Sequence, residues 1–270
     1  MSKIIGIILL SSAMMLSSCD LNSAQGSHGK KQAVIIAGST SVMPFVEKLS
    51  EHFMVDRPGY TINVQGGGST AGIQACLNRT IDIGMSSRPL KKDEMVLNEI
   101  TICHDGIAVV VHPRNSTKEL TLHQIQGIFS GRIKNWKELG WIDRKIDAIT
   151  REEGSGTRGS FEELVMKGKE IYDGIMVQDS NGSVREIVAT DPYAIGYISL
   201  GLVDDRVRSV SIEGVAASIE NIRTNKYKIV RPFLFLTNGA PSSTAKTFID
   251  FVLSHDGQNI LKKEGLIGVQ

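Results

Sequence analysis

The sequence predicts an α/β fold of doubly wound units, and three observations lead there. Short apolar runs alternate with segments of helical period from residue 33 to residue 264. Gly/Ser loops stand where strands give way to helices. No Pro/Ser-rich connector divides the series, so the two domains that 270 residues suggest are joined by ordered strands. The composition, 41% hydrophobic and 22% charged, is that of an ordinary globular chain. Thirty Lys+Arg against 29 Asp+Glu leave a formal charge of +1, which gives no global field towards nucleic acid or an anionic membrane.

Each element follows in order. Residues 33–37 form an apolar run closed by Gly38, read as a buried strand. Ser39, Thr40 and Ser41 are N-cap candidates for a helix that carries Phe45, Val46, Leu49 and Phe53 at helical spacing. Arg57, Pro58 and Gly59 end that helix, and 60–65 is the next strand. The glycines 66–68 open a second helix running to Asn78; a strand over 81–85 and a helix over 91–97 follow. Residues 106–111 are an apolar strand closed by His112 and Pro113. A second series comprises helix 121–130, strand 145–150, helix 156–165, strand 175–178, helix 183–190 and strand 194–199. Residues 229–237 make another apolar strand, and helices 243–253 and 256–264 finish the chain.

The amino terminus reads as a sorting signal over residues 1–18. Lys3 precedes an apolar run too short to span a bilayer, and small residues lead to Cys19. Leu16, Ser17, Ser18 and Cys19 resemble the lipobox of bacterial lipoproteins. That resemblance implies acylation of Cys19, a palmitate-type anchor to the membrane, and 19–32 as a flexible tether. Cys76 and Cys103 fit no zinc spacing and are expected as buried free thiols, although an exported location would permit a bridge. The six histidines form no HExxH-type pair, so neither a metal nor a cofactor is expected.

Three loops carry the functional signal: residues 38–41, 68–70 and 154–157 each join a strand to a helix start. Helix starts leave backbone N–H groups unpaired and positive, glycine admits close approach, and Ser or Thr adds a hydroxyl donor. Ser or Thr at a helix start is also ordinary capping chemistry. Three such loops in one α/β chain point instead to a crevice at the carboxyl ends of the strands, binding a tetrahedral oxyanion. Arg151, four residues before Ser155, would supply a guanidinium fork, with Glu153 orienting it.

The runs AGSTSVMP (37–44), GGGSTAG (66–72), DIGMSSRPL (82–90), REEGSGTRGSF (151–161) and AIGYISL (194–200) resemble the phosphate-binding protein of the bacterial Pst-type ABC transporter, in order and across the mature chain. The resemblance implies a type II periplasmic-binding-protein fold: two doubly wound α/β domains joined by two hinge strands. Domain 1 would comprise 33–108 plus 230–270, and domain 2 would be 109–229. It implies phosphate held by Thr40, Ser41, Ser69, Ser87, Arg151, Ser155, Gly156 and Thr157, with Ser39, Thr70 and Arg88 nearby. A monomeric lipoprotein on the outer side of the cytoplasmic membrane, passing inorganic phosphate to permease subunits, is the implied role. Ser87 departs from the family pattern, which often places an Asp there as acceptor for the phosphate proton. A carboxylate there repels sulfate; a hydroxyl does not.

Four rival readings compete with this one. Gly154, Gly156 and Gly159 spell the dinucleotide fingerprint after a strand, but not in the first βαβ unit, and an exported chain is a poor place for that cofactor. No G-x-S-x-G elbow or two-metal set supports a hydrolase or phosphatase. The same fold could take another tetrahedral oxyanion (sulfate, molybdate or tungstate), and a surface adhesin or signalling lipoprotein remains an alternative role.

Overall fold

The computed structural model describes residues 32–269. The leader, Cys19 and all but the last residue of the tether lie outside the described residues. The first strand, β1 (Gln32–Gly38), pairs in parallel with β2 (Tyr60–Gly66) and β3 (Ile83–Ser86). Between them run α1 (Met43–Asp56) and α2 (Ser69–Leu77). Phe45, Val46, Leu49 and Phe53 form the buried stripe of α1, as their spacing predicts. The helix stops where the Arg57 N–H bonds to Phe53 O, just before Pro58 and Gly59.

The long strand β4 (Asn98–Val111) belongs to two neighbourhoods. Its first half pairs antiparallel with β11 (Val230–Thr237) and its last five residues with β8 (Ala194–Ser199). Those five, from Ile107 to Val111, are fully buried, so they read as one continuous apolar run. The second α/β series contains a short β5 (Glu119–Leu120), α3 (Leu122–Phe129), β6 (Asp147–Arg151), α4 (Gly156–Phe161), β7 (Met176–Gln178) and α5 (Asn181–Thr190) before β8. After β8 come β9 (Arg208–Ser209), β10 (Ser211–Ile212) and α6 (Ile219–Arg223). Beyond β11 the chain closes with α7 (Ser243–Leu253), α8 (His255–Lys263) and β12 (Ile267–Gly268).

The main sheet order is β2-β1-β3-β11-β4-β8-β6-β7. Read from either edge, three parallel strands (β2-β1-β3 or β7-β6-β8) are followed by one antiparallel crossover strand. Two doubly wound halves therefore exchange their last strands through β4 and β11. This is the type II periplasmic-binding-protein fold that the family resemblance implied. One core gathers Phe53, Phe233, Phe235 and Phe248 with α1, α7 and α8. Another gathers Phe129, Trp136, Phe161 and Tyr197, with the Phe161 and Tyr197 rings stacked at 3.9 Å. No helix among the described residues is long and apolar enough to cross a membrane.

Three expectations change. Residues 91–97 form turns, not a helix. Met95 and Val96 are exposed, so the segment has no apolar face to offset the cost of nucleating so short a helix. The helix expected over 156–165 is α-helical only to Phe161 and continues as a π turn over Glu162–Met166. Ser39, Thr40 and Ser41 do not cap α1, whose N-cap is Val42 without a side-chain bond. Cys76 and Cys103 are buried free thiols, and burial pushes both up from the ordinary thiol value.

Candidate functional site

The loops that follow β1, β3 and β6, together with the start of α2, meet at the carboxyl ends of their strands. After β1 the backbone turns at Gly38, where φ is +142° and a Cβ would stand 2.2 Å from the Met85 carbonyl oxygen. Only glycine allows β1 and β3 to approach so closely there. The Ser39 N–H then bonds to Met85 O, and Ser39 O accepts from the amides of Val42 and Met43. Backbone groups thus satisfy the start of α1, which leaves the three hydroxyls of the loop for other partners. The start of α2 is similar: Gly68, with φ +88°, is the N-cap and provides no side chain.

Five hydroxyls form a buried cluster. Ser87 Oγ lies 2.9 Å from Ser39 Oγ and 3.4 Å from both Ser41 Oγ and Ser69 Oγ. Ser41 Oγ in turn meets Thr157 Oγ1 at 2.8 Å, which links the β1 loop to α4 in the other half of the sheet. Gly156 lies against this cluster, where a Cβ would sit 2.2 Å from Ser69 Oγ and 2.6 Å from Ser87 Oγ. Two further bonds cross between the halves: Thr70 N–H to Gly154 O at 3.1 Å, and Ser160 Oγ to Ser87 O at 3.2 Å. Among the described residues, no carboxylate bonds to any of the five hydroxyls.

Arg151 ends β6 with a side chain 1% exposed. Its Nε donates to Gln178 O, and Nη2 donates to Asp179 O at 2.8 Å and to Thr40 Oγ1 at 3.3 Å. The carboxylate that holds the guanidinium is Glu152, bound to both Nε and Nη2. The expectation placed Glu153 in that role; the turn after β6 brings the adjacent residue round instead, its amide donating to Gln178 O. Nη1 is buried and has no hydrogen-bond partner among the described residues. An unpaired charged donor costs on the order of 2 kcal/mol or more, so this nitrogen calls for an acceptor. Tyr197 braces the backbone: its hydroxyl accepts the Arg151 N–H and lies 2.6 Å from Thr150 Oγ1. Burial pushes the phenol up to about 12, so it keeps its proton at neutral pH.

The other residues singled out from the sequence divide. Ser155 Oγ caps α4 by accepting from the Arg158 N–H, and Thr70 Oγ1 accepts from Arg88 Nη2 at 3.4 Å. Arg88 is neutralised by Glu94 through two bonds of 2.7 Å, in a pair almost wholly buried. Those bonds hold the Glu94 carboxyl below its ordinary value against the opposing effect of burial. Beneath the cluster a second buried pair joins the crossover strands: Arg231 of β11 binds Asp105 Oδ2 of β4 at 3.0 Å. Burial raises Asp105 despite its partner, and Ser199 Oγ donates to its other oxygen. Sequence reasoning missed Glu94, Asp105, Arg231, Tyr197 and Asn181. Only Asn181 carried a readable signal, as part of a fourth Ser/Gly-rich strand-to-helix loop over 179–183.

Residues 23–256 match the model of the PBP superfamily domain. The phosphate-binding protein PstS of Bacillus subtilis is 32% identical over 284 aligned residues, covering 99% of this chain and 94% of the relative. A Clostridium perfringens protein, crystallised with bound phosphate and described for phosphate ABC-transporter substrate binding, superposes with a TM-score of 0.86. It is 43% identical and spans 88% of this chain and all of its own. The ABC-type phosphate transport receptor of Vibrio cholerae gives a TM-score of 0.72 at 36% identity, covering 87% of this chain and 99% of the receptor.

Proposed function

Because this chain belongs to the PBP superfamily and, within it, to the PstS family of phosphate-binding proteins, we propose that it captures inorganic phosphate between its two halves and delivers it to an ABC importer. One observation carries the site assignment: the buried Arg151 Nη1 lacks a partner among the described residues while the guanidinium touches Thr40 beside the five-hydroxyl cluster. On this reading Thr40, Ser41, Ser69, Ser87, Arg151, Gly156 and Thr157 line the anion. Ser39 supports Ser87, and Ser155 contributes through the helix start that it caps. Arg88 stays with Glu94 and acts on the anion only through Thr70.

The mechanism is recognition and closure, without covalent chemistry. Uncharged donors and helix starts replace the hydration shell of the anion, and one guanidinium supplies the fixed charge. Donors come from both halves, so the anion is fully engaged only when they close, and binding shifts the population towards that arrangement. The halves are residues 33–108 with 230–270, and 109–229, hinged at β4 and β11. Removal of a leader at 1–18 and acylation of Cys19 would hold a monomer outside the cytoplasmic membrane through the tether, where permease subunits collect the ion. No enzymatic step is assigned to the chain.

Calorimetry of the chain lacking residues 1–19 tests the reading, with phosphate, arsenate, sulfate and molybdate titrated separately. Saturable heat with phosphate is expected; a folded, ligand-stripped protein giving none with any of these ions overturns it. Ser87→Asp should then raise discrimination against sulfate by restoring a carboxylate acceptor, read as a larger ratio of sulfate Kd to phosphate Kd.

A further inference from the structure

Asn181, the first residue of α5, is 1% exposed and spans the two halves. Its Oδ1 accepts the backbone N–H of Ser199 at 3.1 Å, and its Nδ2 lies 3.2 Å from Ser41 Oγ. A backbone amide can only donate, so the atom that faces Ser199 must be the oxygen. The atom that faces Ser41 is then the NH2 group, which has no lone pair to offer, and Ser41 Oγ must accept. The Ser41 hydrogen is thereby turned towards the cluster, where Thr157 Oγ1 stands at 2.8 Å. Ser39 and Ser69 are polarised likewise, for Ser39 Oγ accepts the Ser41 N–H and Ser69 Oγ accepts the Ser87 N–H. Ser87 Oγ accepts no such N–H and is approached by the hydroxyls of Ser39, Ser41 and Ser69.

We propose that Asn181 is a specificity-determining residue that acts through Ser41: its cross-cleft amide bond commits the Ser41 hydrogen to the bound oxyanion and makes the closed pocket donor-rich. The amide is braced from behind, because Ser199 Oγ is held by Asp105, which is itself paired with Arg231 across the crossover strands. A pocket so polarised suits oxyanion faces that carry no proton. No carboxylate in it repels sulfate, and Ser87 Oγ, already approached by three hydroxyls, receives the phosphate proton only when one of them turns to the ligand. The inference rests on the phosphate reading above and adds the ligand class.

The test compares phosphate and sulfate calorimetry on the protein and on Asn181→Asp at one fixed pH, with unfolding of each ligand-free form as the folding control. A carboxylate at 181 can only accept, so Ser41 turns its hydrogen away and presents lone pairs to the ligand. These receive the proton of hydrogenphosphate but repel sulfate. Sulfate should compete measurably with phosphate in the protein itself, and Asn181→Asp should raise the sulfate-to-phosphate Kd ratio by about tenfold. A ratio unchanged within about twofold overturns the proposal, as does a starting protein that already excludes sulfate. If Asn181→Asp does not fold, a double-mutant cycle decides. In a Ser41→Ala background, Asn181→Ala should change phosphate affinity less than about twofold, and a full additive loss overturns the proposal. A protein that binds no phosphate at all defeats the preceding functional reading instead, so the two failures are distinct.

Discussion

Arg151 and Gly156 show how single positions decide a binding site. The guanidinium of Arg151 is held on one side by Glu152 and two carbonyls while Nη1 has no partner among the described residues, so it is oriented before any ligand arrives. Arg151→Ala should weaken phosphate binding by on the order of a hundredfold, about 3 kcal/mol, through loss of charge-assisted bonds. Lys118→Ala, at an exposed position outside the cluster, should change it little. Titrations of the two variants side by side check this. Gly156 has no positive φ to defend; it matters because a Cβ there would collide with two buried hydroxyls. Gly156→Ala should therefore wedge the halves apart and lower affinity by at least about tenfold while thermal stability without ligand stays near that of the parent. Comparable loss of both would point to a purely structural role. The spacing of Arg151 and the three loops was readable along the chain. That Glu152 rather than Glu153 grips the guanidinium was not, because one residue of turn geometry settles which carboxylate faces it.

At the scale of elements, the segment after β3 is instructive. Its expected helix over 91–97 is replaced by turns in which Glu94 bonds to Arg88 and to the Lys91 amide. Two buried opposite charges satisfied each other where an amphipathic face was wanting. The Glu94 carboxyl is held low chiefly by its bonds from Arg88. The unfolded chain then binds the proton more readily than the folded one, so the contribution to stability is fully present above the unfolded pKa and fades as pH falls through the folded one. Glu94→Gln should cost about 3 kcal/mol near neutral pH, as expected for breaking one side of a buried pair. The deficit should shrink towards zero on acidification. Urea unfolding across pH measures this, and a pH-independent deficit would count against the ion pair. Capping shows the same limit of local reading. Ser and Thr before α1 look like caps, yet main-chain bonds satisfy that turn and the hydroxyls serve the cluster. Ser155, in a similar setting, does cap α4.

For the whole molecule, the decisive feature is that β4 and β11 each pass between halves, so the two share a sheet while their loops face each other. Bonds such as Thr70 N–H to Gly154 O exist only while the halves are together. Hydrogen exchange at the Thr70 amide should be slow with phosphate bound and at least about tenfold faster after the ligand is stripped, with core amides such as Val109 unchanged. Equal protection in both states would remove closure from the mechanism. The sequence by itself determined the alternation of strands and helices, the buried runs of β4 and β11, and the Gly/Ser loops that mark strand-to-helix junctions. These follow from periodicity and turn chemistry, which are local. Only the tertiary structure decided which hydroxyls meet, that Asn181 reaches Ser41, and that Asp105 meets Arg231. Those pairings join residues 140 and 126 positions apart, and their directions depend on partners that only the packed sheet brings within bonding distance.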